Sequence, residues 1–171
     1  MPHWHPSRCV FRRVTRDAPG QTLVEVALVL PVFLLALVAI LELGWYAGVA
    51  SATTTASREA ARYGSTVGIA ADGQPHYVDC NGIRAAARSN TNPLITLADS
   101  DIDVSYDDGT GAAVGESCVS SASRPGADEL QTFDRVVVTV RVRYEPITPL
   151  LRGIIGTPTL TSLEARSIAK P

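Results

Sequence analysis

From Val26 to Leu41 the chain carries no charged residue; Glu25 precedes the run and Glu42 follows it. At about 1.5 Å per residue, Leu23 to Tyr46 is long enough as a helix to cross the ~30 Å hydrocarbon layer of a bilayer. Trp45 and Tyr46 stand at its far end, where amphipathic rings favour the lipid–water interface. Pro31 removes one helical hydrogen bond and is expected to bend the helix, which membrane helices tolerate. Ala47 to Gly64 is rich in Ala, Ser and Thr. The same helix is predicted to continue to about Tyr63, with Gly64 ending it. Its small residues would allow another helix to approach closely. Arg58 and Arg62 share one helical face, and Glu59 reaches Arg62 at i+3. A plain solvated stalk is the alternative for this stretch.

Residues 65–78 read as loop. Ile83, Ala86 and Ala87 recur at helical spacing within Asp79 to Ser89, with Asp79 near the start of a short helix. Ile102 to Tyr106 alternates and then meets Asp107-Asp108-Gly109, a strand followed by a turn. Gly109 to Asp128 is a loop by composition. Arg135 to Tyr144 is the clearest strand: Val136, Val138, Val140 and Val142 point one way, and Val137, Thr139, Arg141 and Arg143 the other. Pro146 and Pro149 end it, and Leu160 to Ile168 forms a final strand of imperfect alternation. The expected fold class is α+β: a long N-terminal transmembrane helix extending into a small antiparallel-sheet domain. Its divisions are residues 1–20 as a basic leader, 21–64 as transmembrane and extended helix, and 65–171 as the outer domain.

Charge adds an orientation. The first twenty residues hold Arg8, Arg12, Arg13 and Arg16 against Asp17, a net of +3, whereas residues 51–171 hold 11 basic and 14 acidic side chains, a net of −3. Arginines before the apolar run predict a cytoplasmic N-terminus and an extracytoplasmic C-terminal domain. No basic stripe with interleaved aromatics follows, so nucleic acid is not an expected partner. A signal peptide cut near Ala50-Ser51-Ala52 competes with a retained anchor, but the apolar run exceeds the ~7–15 residues of a signal core. Cys9 falls in the leader, where a reducing cytoplasm keeps it a thiol. Cys80 and Cys118 fall beyond the run, where an oxidising compartment favours one disulfide over two separate thiols. Such a bridge would contribute roughly 4 kcal/mol in the chain-entropy treatment.

The two glutamates flanking the run are costly in hydrocarbon unless protonated, paired or able to reach an interface. Glu42, near the outer boundary, is expected to snorkel outward. Glu25 is the fifth residue after Gly20. A cut after Gly20 would give Gln21 a free ammonium group, and Glu25 of the same or a neighbouring helix could pair with it. Such pairing offsets the burial penalty of both charges at one axial offset between helices. An ordinary interfacial carboxylate is the other reading of Glu25.

Three stretches carry a resemblance: Gly20-Gln-Thr-Leu-Val-Glu25-Val-Ala-Leu-Val-Leu-Pro31-Val-Phe, then Leu41-Glu42-Leu-Gly44-Trp, then Ser57-Arg58-Glu59-Ala-Ala-Arg62-Tyr63-Gly64. Together they resemble the TadE-like family, minor pilins (pseudopilins) of tight-adherence, Flp-type pilus systems. Tyr144-Glu-Pro-Ile-Thr-Pro149-Leu-Leu also looks like the family. The resemblance implies a pilin-like module in the bacterial cytoplasmic membrane, with a leader cut after Gly20 by a prepilin-type peptidase. Gly20, Gln21 and Glu25 would be the processing and assembly residues. Pro31, Glu42, Gly44, Arg58, Glu59 and Arg62 are candidate helix-packing positions. Expected partners are the peptidase, other pilins and pilus assembly proteins. Val26 departs from the family, since Flp-type prepilins usually place an aromatic directly after the glutamate. An uncleaved, membrane-anchored binding or scaffold module is the alternative reading.

No constellation points to catalysis, a cofactor or a metal, and the chain is not expected to be an enzyme. His3 and His5 are two ligands on a leader, too few for a built metal site. His76 follows a loop proline without a supporting Ser-His-Asp motif. Asp99, Asp101, Asp103, Asp107 and Asp108 form an oxygen-rich run, but the turn glycine of an EF-hand is missing, and a solvated acidic strand edge is the expected role. There is no phosphate-binding glycine loop.

Overall fold

The computed structural model describes residues 19–89, 91, 95–119 and 123–170. The leader, with His3, His5, Cys9 and the four arginines, lies outside the described residues, as does the side chain of Gln21. The architecture is α+β: a long helix α1 (Pro19–Ser65), a short helix α2 (Cys80–Ser89), strands β1 (Ile102–Asp107) and β2 (Arg135–Arg143), a two-turn helix α3 (Pro149–Ile155) and strand β3 (Thr159–Ser167). Single 3₁₀ turns precede α2 (His76–Val78) and β1 (Asp99–Asp101).

The chain divides into two compact units, residues 1–39 and 40–171. In the first, α1 runs unbroken through Pro31, and every described side chain from Thr22 to Ala39 is exposed. That surface is apolar: Leu23, Leu28, Val29 and Val32 are each 64–72% exposed. The segment is long and apolar enough to cross a membrane.

The second unit is built on the C-terminal half of the same helix. Val49, Ala52, Thr53, Ala56, Ser57, Ala60 and Ala61 are buried, a stripe at spacings of three and four. They share one core with Ile102, Val104 and Tyr106 of β1 and Val136, Val138, Val140 and Val142 of β2. The small side chains were expected to admit another helix; they face this chain's own sheet instead. Gly64 is likewise a packing residue and not a stop: α1 runs one residue past it. A Cβ there would lie 3.2 Å from both Ile83 Cδ1 and Val136 Cγ2. The helix ends where hydroxyls take its last carbonyls, Ser65 Oγ donating to Arg62 O at 3.0 Å and Thr66 Oγ1 to Tyr63 O at 2.7 Å.

The sheet is antiparallel in the order β1-β2-β3. Val138 pairs with Val104 on one side and Glu164 on the other, so period-2 alternation puts Leu160, Ser162, Glu164 and Arg166 on the helix side. Along the other edge of β1, Val114 N donates to Tyr106 O and Cys118 N to Val104 O. The Cys80–Cys118 disulfide forms there, fastening α2 to that edge strip with a Cα–Cα distance of 5.5 Å. Asp79 caps α2 through Gly82 N, 2.9 Å from its Oδ1. The turn after β1 uses Gly109 at φ +88°, a conformation that favours glycine. Helix α3 was not foreseen. Pro149 does end the strand region, but it occupies the first helical position with Thr148 as N-cap, where its fixed φ and missing N–H cost nothing.

Candidate functional site

Glu42 does not snorkel. It is 5% exposed and takes donors from one loop. Its Oε1 accepts from Tyr144 Oη at 2.7 Å and Ile147 N at 3.1 Å. Its Oε2 accepts from Thr148 N at 3.3 Å and Thr148 Oγ1 at 3.4 Å. Consecutive N–H groups converging on a carboxylate are a good anion cradle. Pro146, fully buried, leaves Ile147 as the first donor after it. Two further contacts hold the same turn of α1: Trp45 Nε1 donates to Glu145 O at 3.3 Å, and the Tyr46 and Tyr144 rings meet edge-on at 5.3 Å. Burial first, then the Glu42 carboxylate, pushes the Tyr144 phenol up to about 12. Residues 144–148 thus clasp α1 one residue past the end of its apolar run. The charged group is satisfied by protein donors, so outward reach to water is unnecessary.

The clasp joins Leu41-Glu42-Leu-Gly44-Trp45 to Tyr144-Glu-Pro-Ile-Thr148, about a hundred residues apart in sequence. The donors Tyr144, Ile147 and Thr148 were not foreseen as partners. A lone carboxylate at the end of an apolar run is the one signal that could have prompted a search for donors.

The remaining candidate residues fall elsewhere. Gly20 lies in the first turn of α1, and among the described residues no atom beyond its chain neighbours and its own helix backbone comes within 4 Å of where a Cβ would be. Glu25 is exposed and shares a shallow groove along one helix face with Val26, Val29, Leu30 and Phe33. Gly44 also has open space at its Cβ position. Arg58 reaches Glu164 of β3 at 3.9 Å, and Arg62 pairs with Glu59 at 3.7 Å. Both are exposed pairs of small energetic weight. Ala50-Ser51-Ala52, the rival signal-peptidase site, is helical with Ala52 buried.

His76 and the aspartates of the acidic run each have partners within the fold. His76 stacks on Tyr63 at 4.6 Å and its Nδ1 lies 3.0 Å from Thr66 Oγ1, pinning the loop after α1. The acidic run is spread over separate jobs. Asp107 grips Arg135 with two bonds of 2.6 and 2.8 Å, Asp103 pairs with Arg141, and Asp99 pairs with Arg88. Asp101 accepts from Ala98 N, and Asp108 from Thr110 N. The Arg135 guanidinium is the main reason the Asp107 carboxyl sits below the usual carboxylate range.

No curated protein and no solved structure matches the chain. Residues 20–62 match the family model described as TadE-like protein. That stretch holds Gly20, Glu25, Glu42 and Arg62 and ends on the helix stripe beneath the sheet. Over those residues, which lie within α1, the chain is similar to the TadE-like protein family.

Proposed function

We propose that this chain is a non-enzymatic minor pilin of a Tad-type pilus, held in the membrane by α1 until it is assembled. The observation that carries the reading is the family match over residues 20–62, laid on a helix half whose apolar side chains are exposed. In this reading residues 22–41 span the bilayer with the N-terminus in the cytoplasm. A prepilin-type peptidase cuts after Gly20. The Gln21 amine then meets Glu25, on the same helix or a neighbour's, and sets the axial offset of packed helices. The compact unit stays outside and presents the surface that selects neighbours. The exposed position of Glu25 and the open space around Gly20 are compatible with access by a peptidase and a second helix.

The test is the N-terminus of the mature chain in a strain with an active prepilin peptidase. Mass spectrometry should find it at Gln21, and Gly20→Leu should leave the leader in place. Glu25→Ala should be absent from sheared filaments. A mature chain that retains residues 1–20 and never co-purifies with pilus components would instead establish an anchored scaffold module.

A further inference from the structure

Helix α3 buries none of its residues. Leu150 is 64% exposed, Ile154 74% and Ile155 49%, and Ile147 just before it is 60% exposed. A two-turn helix with this much aliphatic surface has no reason to stand in water. Its place in the unit supplies one. The loop that leads into α3 is bonded to Glu42 through Ile147 N and Thr148 N. Glu42 immediately follows the uncharged run that ends at Leu41. On that turn of α1, Ile40, Leu41 and Leu43 are 66–69% exposed. The two apolar surfaces are therefore fastened at one level, by a carboxylate that the clasp itself buries. Aromatics gather at the same level: Trp45 bonds Glu145, and Tyr46 meets Tyr144. Charge is sparse there. Between Pro146 and Pro158 the only ionisable side chain is Arg152, which pairs with Glu145 at 3.4 Å.

We propose that α3 is a membrane-interfacial helix, lying in the outer headgroup region beside the point where α1 emerges. Lipid is the occupant of its apolar face. Short apolar helices flanked by aromatic rings and a cation sit at that depth, about 5–10 Å into the boundary between headgroups and chains. The Glu42 clasp then has a mechanical purpose: it ties the interfacial helix to the spanning helix and fixes the height of the outer unit over the bilayer. The inference rests on the reading that α1 spans the membrane, and the test separates the two.

The full chain, with Cys9→Ser to remove the leader thiol, is given one cysteine at a time: Ile154→Cys, Leu150→Cys, Leu34→Cys or Phe133→Cys. All four positions are exposed, so a label should not disturb the core, and an intact Cys80–Cys118 bridge in the non-reduced mass reports folding. Each is labelled with an environment-sensitive fluorophore and reconstituted into vesicles of phosphatidylcholine and phosphatidylglycerol, with or without brominated chains. Labels at 34, 150 and 154 should be quenched by the bromines by about twofold or more, as expected for probes within the chain region or its boundary. The label at 133, beside the start of β2, should not be. Quenching at 34 without quenching at 150 and 154 would overturn the interfacial helix while leaving the spanning helix intact. The α3 face would then belong to a protein neighbour. No quenching at 34 would overturn the spanning reading and this inference with it.

Discussion

The bond between Tyr144 and Glu42 offers a sharp test of the clasp. Tyr144 is 2% exposed, and its hydroxyl donates to Glu42 Oε1 at 2.7 Å. Tyr144→Phe deletes the donor and keeps the ring, including its edge contact with Tyr46. A hydrogen bond to a charged acceptor is worth about 1.5–3 kcal/mol net. The clasp lies at the margin of the unit, where screening is partial, so the lower half of that range applies, about 2 kcal/mol. For a unit of this size the loss should lower Tm by about 7 °C. The assay is thermal unfolding of the full chain in detergent micelles, followed by near-UV circular dichroism, whose aromatic signal comes largely from the outer unit. The same change is then made in a Glu42→Ala background. With no acceptor present, deleting the hydroxyl should cost less than about 0.5 kcal/mol, because the cycle isolates the pair. Equal losses in both backgrounds would refute the reasoning: the hydroxyl would then be stabilising something other than the clasp.

Four further outcomes follow from the same geometry. Replacing Cys80 and Cys118 by Ala should cost roughly 4 kcal/mol in denaturant unfolding; an unchanged midpoint would mean that the bridge adds nothing to the packing of α2. Ala56→Leu should destabilise by about 1–3 kcal/mol through overpacking, because Ala56 is fully buried in the core shared with the sheet, whereas Ala47→Leu on the exposed face should be tolerated in the same assay. Gly82→Ala should lower Tm despite the better helix propensity of alanine, because the added methyl would collide with the Asp79 carboxylate and with both the hydroxyl and the ring edge of Tyr63; an unchanged Tm would show that these side chains move aside freely. Stability should also depend on pH at both ends. The Asp107 carboxyl is depressed by Arg135, so its contribution is present above about pH 4 and is lost as pH falls through the depressed value; Asp107→Asn should flatten the acid limb of a Tm profile. The Tyr63 phenol is raised to about 12 by burial and then by Asp79, so its contribution is present below about pH 10 and is lost as pH rises toward 12; Tyr63→Phe should flatten the alkaline limb.

Where a residue's role was set by its immediate neighbours in the chain, it was legible. The β2 valines alternate, and four of them face the helix. Val137 is also buried, on the other face, between Ser105 and Ala165. The poor alternation of β3 has a cause that lies outside the strand. Its inward residues include Ser162 and Glu164 because they meet the flank of α1: Ser162 Oγ lies 2.8 Å from Ser57 Oγ, and Glu164 faces Arg58. A polar residue pointing inward breaks the pattern in sequence yet is satisfied in the fold. The target of the alanine stripe was illegible for a related reason. Small residues announce that something comes close, but they do not say whether it is another helix or the chain's own strand. Glu42 was hardest, since all four of its donors come from three residues separated from it by more than a hundred positions.

The two halves of α1 are therefore under different demands. Along the buried stripe from Val49 to Ala61, side-chain size is dictated by the packed core, and a substitution is read out as stability of the second unit. From Thr22 to Leu41 the side chains are exposed, and that stability places little constraint on them. On the proposed function, the constraints on that stretch come from the bilayer, the peptidase and neighbouring helices. Glu42 stands at the border, one residue past the apolar run and bonded into the outer unit. Changes at Glu25 should therefore alter processing or assembly and leave Tm untouched, whereas changes at Glu42 should lower Tm.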